Sequence, residues 1–268
     1  MFAVKLNAWL AVCVAIAFGS ICEAASASAG SSVATAPAVS LGIQEFGNTA
    51  TDNPGDGFCS FGSGGDPSAN GRSFWLLSAT TGDRFTVDFE STTPPALTQL
   101  WEGAPGVRVY PVGTTDFNID AANIVAESHT QDNGKGQLVF TAPRTGIMPL
   151  RFSNCSDNDA SGAYDFVASV LHRAILGVKT ATDARRHRTK VAVSLHTPDG
   201  DLINPGGFTL LCATQQGRTF RTVAKVVPAT ECTVEWQKAQ RGKRQIVRLT
   251  VTGPGYLRAN ISVRVQAK

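Results

Sequence analysis

The sequence predicts an all-β chain of two successive β-sandwiches, and three observations predict it. Apolar and polar residues alternate with period two in short runs along most of the chain. Clusters of Gly, Pro, Asn and Asp separate those runs. No helical period of 3.6 persists over three turns. Period two is the spacing of side chains on one face of a strand, so each run has a buried face and a wet one.

Residues 136–170 show the pattern best. Leu138 and Phe140 point one way, and Leu150 and Phe152 repeat it after a Pro143–Gly146 turn. Tyr164, Phe166, Ala168 and Val170 then take it up again beyond a polar loop. Three such runs joined by turns make an antiparallel sheet.

Taken from the start, residues 1–27 read as a secretory signal peptide. Lys5 is followed by an apolar run from Ala8 to Ile21 and then by small residues, with cleavage options after Ala24, Ala27 or Ala29. The run falls short of the ~20 residues that span a bilayer. Ile21 stands before Cys22, where a lipidated cysteine takes a small residue, so simple cleavage is expected. The expected location is secreted, periplasmic or extracellular. Residues 28–40 are small and polar, a flexible lead-in.

Residues 41–172 form the first expected domain. A Gly/Asp/Asn/Ser-rich loop over 47–71 carries Cys59. Strands are expected at 73–79, 84–90, 107–112, 124–128, 137–141, 147–153 and 163–171. In the second of these, Phe85, Val87 and Phe89 face inward while Thr86, Asp88 and Glu90 face water.

Residues 40–171 resemble the bacterial pre-peptidase C-terminal domain. The motifs that carry the resemblance are the turn Thr81-Gly82-Asp83, Thr141-Ala142-Pro143 with Thr145-Gly146, and Gly162-Ala163-Tyr164. The chain departs from the pattern at Met148, where an aromatic is usual, and around residues 97–110. The resemblance implies a jelly-roll-like sandwich of the kind found beside exported enzymes. It implies fold and not chemistry.

Residues 174–268 form the second expected domain. Val191, Val193 and Leu195 alternate with Lys190, Ala192 and Ser194, and Pro198-Asp199-Gly200 makes a turn. Leu210 with Cys212, then Cys232, Val234 and Trp236, then Val247, Leu249 and Val251, and finally Ile261, Val263 and Val265 each share a face. About seven short strands of this kind suggest an immunoglobulin-like sandwich. The opening from Val191 to Leu211 is similar to bacterial Ig-like modules. The antibody-type Cys–Trp–Cys order is absent, because Trp236 follows both cysteines.

Cys59, Cys155, Cys212 and Cys232 lie beyond the leader, an even number in an exported chain, so disulfides are expected. Three pairings are open, and one bond per domain favours Cys59–Cys155 with Cys212–Cys232. No CxxC spacing argues for zinc or redox work.

Charge divides the chain. Residues 28–168 hold 6 Lys+Arg and 15 Asp+Glu, net 6 − 15 = −9, and residues 169–268 hold 17 and 5, net 17 − 5 = +12. Arg188 and Lys190 project opposite to Val191 and Val193, and Arg244 and Arg248 opposite to Val247 and Leu249, all on wet faces. Either these four are a solvated face, or they dock on the acidic domain, or they bind an anionic partner. That partner is an acidic polysaccharide, another cell-surface polymer or lipid headgroups before it is nucleic acid.

Asp157-Asn158-Asp159-Ala160-Ser161-Gly162 opens like a calcium loop. Ala168 stands where an EF-hand needs its bidentate Glu, so a complete EF-hand is excluded. A Cys59–Cys155 bond would bring Asp52 and Asp56 close to Asp157 and Asp159. Two readings stand for those four carboxylates: a calcium site, or solvated acidic turns.

No catalytic pattern emerges. Gly62-Ser63-Gly64 does not complete a nucleophile elbow, and His129, His172, His187 and His196 have no metal-ligand spacing. The expectation is a secreted, non-catalytic binding or accessory protein. The alternatives are an assembly module that adds strand edges to a partner's sheet, and an enzyme with an unrecognised site.

Overall fold

The computed structural model describes residues 29–49, 71–92, 106–119, 122–131, 134–154 and 163–268. It is all-β, as expected, with antiparallel strands arranged in four sheets.

The first sandwich uses β1 (Gln44–Asn48), β2 (Gly71–Ala79), β3 (Arg84–Ser91), β4 (Gly106–Val109), β5 (Ala126–His129), β6 (Lys135–Thr141), β7 (Gly146–Asn154) and β8 (Ala163–Leu171). One sheet has the order β1-β8-β3-β6 and the other β2-β7-β4-β5. First pairs with eighth, second with seventh, third with sixth and fourth with fifth. The chain is thus one long hairpin rolled into two layers, which is the jelly-roll order.

Its core is aromatic because the period-two runs place one ring per inward position. Phe152 stacks on Tyr164 with centroids 4.2 Å apart, and Trp75 meets Phe166 edge-on at 5.1 Å. Such pairs add roughly 0.5–1.5 kcal/mol beyond the area they bury. The Trp75 indole N–H donates to the Tyr164 hydroxyl at 2.9 Å, joining the two sheets through a buried polar bond. Gly47 on β1 lies directly against that tyrosine ring, with no room for a Cβ.

Strand β1 was not expected, because QEFGN has no apolar alternation; Glu45 is its buried residue and accepts from the Ser40 N–H at 3.1 Å. The expected flexible lead-in also needs correction. Its described part lies along the edge strand β2, with backbone bonds between Gly30 and Phe74, from the Leu76 N–H to the Pro37 carbonyl and from the Val39 N–H to the Leu76 carbonyl. The Asp116 carboxylate accepts from the N–H groups of Val33 and Ala34 at 2.7 and 3.1 Å. Val33 and Ala36 cover a small second core of Phe74, Tyr110 and Ile119 on the outside of that sheet. The reason is that Phe74 and Trp75 are consecutive and both buried, so β2 needs cover on both faces.

The second sandwich uses β9 (Ile175–Asp183), β10 (Arg188–His196), β11 (Leu202–Ile203), β12 (Thr209–Gln216), β13 (Thr219–Val226), β14 (Glu231–Glu235), β15 (Arg244–Thr252) and β16 (Ala259–Gln266). In one sheet β10 is flanked by β9 on one edge and by β14 and β11 on the other; the second sheet runs β13-β12-β15-β16. This is an immunoglobulin-like arrangement. Strand β9 was not expected, because only Leu176 and Val178 mark its inner face.

Cys212 on β12 and Cys232 on β14 are bonded. They stand on strands of different sheets and tie the two sheets together. Trp236 follows β14 and donates its indole N–H to the buried Thr189 hydroxyl on β10 at 2.9 Å. Cys59 and Cys155 lie outside the described residues.

The sandwiches are joined by residues 172–174, and Asp83 clamps the joint. Its carboxylate accepts from the Arg173 N–H at 3.1 Å and bonds His172 Nδ1 at 3.0 Å, with the side chain 3% exposed. His172 bonds through its backbone to Gly255 and Leu257, and its ring lies 5.6 Å from Tyr256 of the second sandwich. Gly82 has φ +85 and lies against the Arg173 side chain, so a Cβ there would be both strained and obstructed.

Two outcomes follow from these links. Replacing Cys212 and Cys232 together by Ala should lower stability by about 3 kcal/mol, the chain-entropy value for a bond spanning 20 residues; urea unfolding of the oxidised protein and the variant reads it. Asp83→Ala should cost roughly 1–3 kcal/mol and open residues 172–174 to proteolysis, whereas Tyr256→Phe should leave the joint resistant. Equal cleavage of wild type and Asp83→Ala would show that the carboxylate does not hold it.

Candidate functional site

Strand parity decides which side chains of the second sandwich reach solvent. On β10, Thr189, Val191 and Leu195 are buried, so Arg188, Lys190, Ala192, Ser194 and His196 line the outer face. On β15, Val247, Leu249 and Val251 are buried in the core, and Arg244, Ile246 and Arg248 point outward, with Thr250 on the same side but buried. The four basic residues expected on wet faces are therefore there. They stand on two different sheets, however, and their surroundings differ.

Arg188 and Lys190 face carboxylates. Arg188 sits between Asp183 on β9 and Glu235 on β14 in the register, and its guanidinium lies 3.7 Å from Asp183. Lys190 pairs with Glu231 at 2.7 Å. Strands β9, β10 and β14 carry Lys179, Arg188 and Lys190 against Asp183, Glu231 and Glu235, so their charges cancel. Asp183 also caps the β9–β10 turn by accepting from the Arg185 and Arg186 N–H groups. The shallow depression over this face is lined by both signs of charge, Asp183 and Glu231 beside Arg188 and Lys190. Exposed pairs of this kind are worth about 0–1 kcal/mol, but they neutralise the face.

The other sheet carries no acid. Strands β12, β13, β15 and β16 hold Arg221, Lys225, Arg244, Arg248 and Arg264 and not one Asp or Glu. Arg264 on β16 stands opposite Ile246, between Arg244 and Arg248 of the neighbouring strand. The Arg248 guanidinium lies over the Phe220 ring, 3.7 Å from its centroid. In the register Ala213 of β12 stands between Arg248 and Thr222, and Phe220 lies two positions along β13, so the contact runs on the diagonal. Among the described residues, none of Lys225, Arg244, Arg248 and Arg264 forms an ion pair. Lys225, Arg264 and Phe220 were missed in the sequence because single basic residues on separate strands make no run.

Other candidates are less built. Ser194 Oγ lies 2.9 Å from His196 Nε2, and His196 Nδ1 faces the Gly200 carbonyl at 3.2 Å, which fixes the proton on Nδ1. This nucleophile–base contact lies on the outer face of a sheet, and neither residue lines the depression described above. Asp52, Asp56, Asp157 and Asp159 lie outside the described residues, and no group of three or more metal-ligating side chains occurs among the described ones. No helix among the described residues is long and apolar enough to cross a membrane.

On the first sandwich, Asp165 stands directly opposite Glu90 across β8 and β3. Burial pushes its carboxyl above the ordinary range, opposed by a hydrogen bond from Gln44, then raised further by Glu90 and lowered by Lys135.

No family model matches the chain, and no curated protein does. The resemblance to the pre-peptidase C-terminal domain therefore rests on its turn motifs. Among solved structures, the adhesin domain of Epf from Streptococcus pyogenes is similar over 74% of this chain and 72% of that one, at 11% identity and a TM-score of 0.34. The Endo-D glycoside hydrolase domain from Streptococcus pneumoniae R6 matches 74% of this chain and 32% of its own, at 11% identity and a TM-score of 0.25. A β-glucuronidase from Parabacteroides merdae matches 74% and 28%, at 12% identity and 0.23. The chain spans about a third of the length of these glycoside hydrolases. At such scores the likenesses assign neither activity nor ligand.

The raised Asp165 carboxyl sets a pH dependence whose sign is determined. Folding disfavours its charged form, so its unfavourable contribution is absent below the ordinary carboxylate range and grows as pH rises through the interval up to the raised value. Asp165→Asn should therefore raise the melting temperature at pH 7, and the gain should vanish near pH 3. A gain that persists at pH 3 would assign the effect to packing.

Proposed function

We propose that this chain is an exported, non-catalytic binding protein that holds an anionic extracellular polymer on its second sandwich. The observation that supports the reading is the division of charge between the two faces of that sandwich. One outer face balances its cations with carboxylates, and the other carries cations on strands without an acid. A face of one sign raises the local concentration of an oppositely charged polymer and speeds its capture. The bonded Cys212–Cys232 pair suits an oxidising compartment. The clamped joint at Asp83 suits a module that presents one face in a fixed setting.

Retention of the full mature chain on a heparin column tests this. Binding should fall steeply as salt rises, since screening shortens to ~8 Å at 0.15 M. Charge reversal of Arg244 and Arg248 should abolish retention, and charge reversal of Arg188 and Lys190 should change it little. Equal loss from both double variants would mean that net charge, not the acid-free face, draws the polymer. No retention of the wild type at low salt would end the proposal.

A further inference from the structure

Resting on that reading, we infer that the outer face of the β13-β12-β15-β16 sheet is a built carbohydrate site, specific for a linear polysaccharide bearing carboxylates. In it Arg248, its guanidinium over Phe220, is the anchor, and Arg264 and Arg244 continue the contact along the strands.

The geometry supports a fork and not a diffuse cloud of charge. The Arg248 guanidinium over the Phe220 ring is held near one place, and a planar guanidinium has N–H edges that a ring against its face does not occupy. A planar carboxylate accepts two parallel N–H bonds from such an edge, which a flexible ammonium cannot offer. Three of the outward cations are arginines and one, Lys225, is a lysine. Arg244 and Arg248 are four positions apart along β15, roughly 14 Å at ~3.4 Å per residue, and Arg264 on β16 falls midway. The three guanidiniums thus form a zigzag along the strand direction, which suits an extended chain with repeated charges.

The remaining outward groups favour sugar over nucleic acid. Thr222, Asn260, Ser262 and Gln266 place hydroxyls and amides beside these cations, while the buried Thr250 donates its hydroxyl to Asn260 at 2.7 Å and Gln266 donates to the Gly242 carbonyl. These groups match sugar hydroxyls. Binding of a single-stranded nucleic acid uses open aromatic faces on which bases stack. The one aromatic on this face, Phe220, is covered by Arg248.

The test uses the full mature chain, with polygalacturonate as the carboxylated probe, dextran sulfate as the sulfated one and single-stranded DNA as the nucleic acid. Calorimetry at 0.15 M salt should show binding to polygalacturonate in preference to the other two. Phe220→Leu, which keeps apolar bulk and every charge, should weaken that binding about tenfold, equivalent to roughly 1.4 kcal/mol. Arg248→Lys, which keeps the charge and loses the fork, should weaken it by a similar factor. Thermal melts confirm that both variants fold; should Phe220→Leu not fold, Arg248→Lys decides alone. If both variants bind as wild type while Arg248→Glu does not, the face is a plain electrostatic patch: this inference falls and the proposed function stands. Preference for dextran sulfate or DNA overturns the carboxylated-sugar assignment. Failure of the wild type to bind any of the three overturns both.

Discussion

The alternation of side chains across a strand is the constraint on which the rest of this structure depends. The described architecture is built from two-layered sandwiches, so every strand commits alternate residues to a core and the others to solvent. Phe85, Val87 and Phe89 can fill the first core only if Thr86, Asp88 and Glu90 do not. Val247 and Leu249 can fill the second only if Arg248 points away. Apart from the buried Glu45 of β1, charge on these strands therefore falls on the outer sheet faces, and each face acquires a sign from the strands beside one another in it.

Cross-strand neighbours then decide what each charge can do. Lys190 has Glu231 within 2.7 Å, and its partner lies on a strand reached only after two others in the opposite sheet. Arg248 finds an aromatic ring instead. The two residues look alike in the sequence, each basic and each flanked by buried residues. They differ in that one is already satisfied by the protein, whereas the other is oriented by it and left open.

The joint between the sandwiches shows the same division of labour. Thr81-Gly82-Asp83 is a turn by its residues, and the turn is present, with Asp83 bonding back to Thr80. Yet the Asp83 carboxylate also receives the chain leaving β8, because β3 and β8 are neighbours and the turn before one meets the end of the other. A single buried carboxylate thereby links the turn to the connection between the two halves.

The sequence by itself determined the fold class, the inward-facing residues of most strands and the wet positions of Arg188, Lys190, Arg244 and Arg248, and it favoured the Cys212–Cys232 bond that the structure contains. These are local facts, carried by i, i+2 spacing and by cysteine number. It did not mark β1 or β9, whose apolar alternation is thin, nor the docking of the lead-in, which answers a need of β2. Only the tertiary structure decided that the four expected cations belong to two faces, one neutralised and one without acid. It also brought Phe220 and Arg264 to Arg248. The physical reason is range: parity follows from neighbours in the chain, whereas electrostatic balance follows from neighbours in the sheet, and those come from residues tens of positions apart.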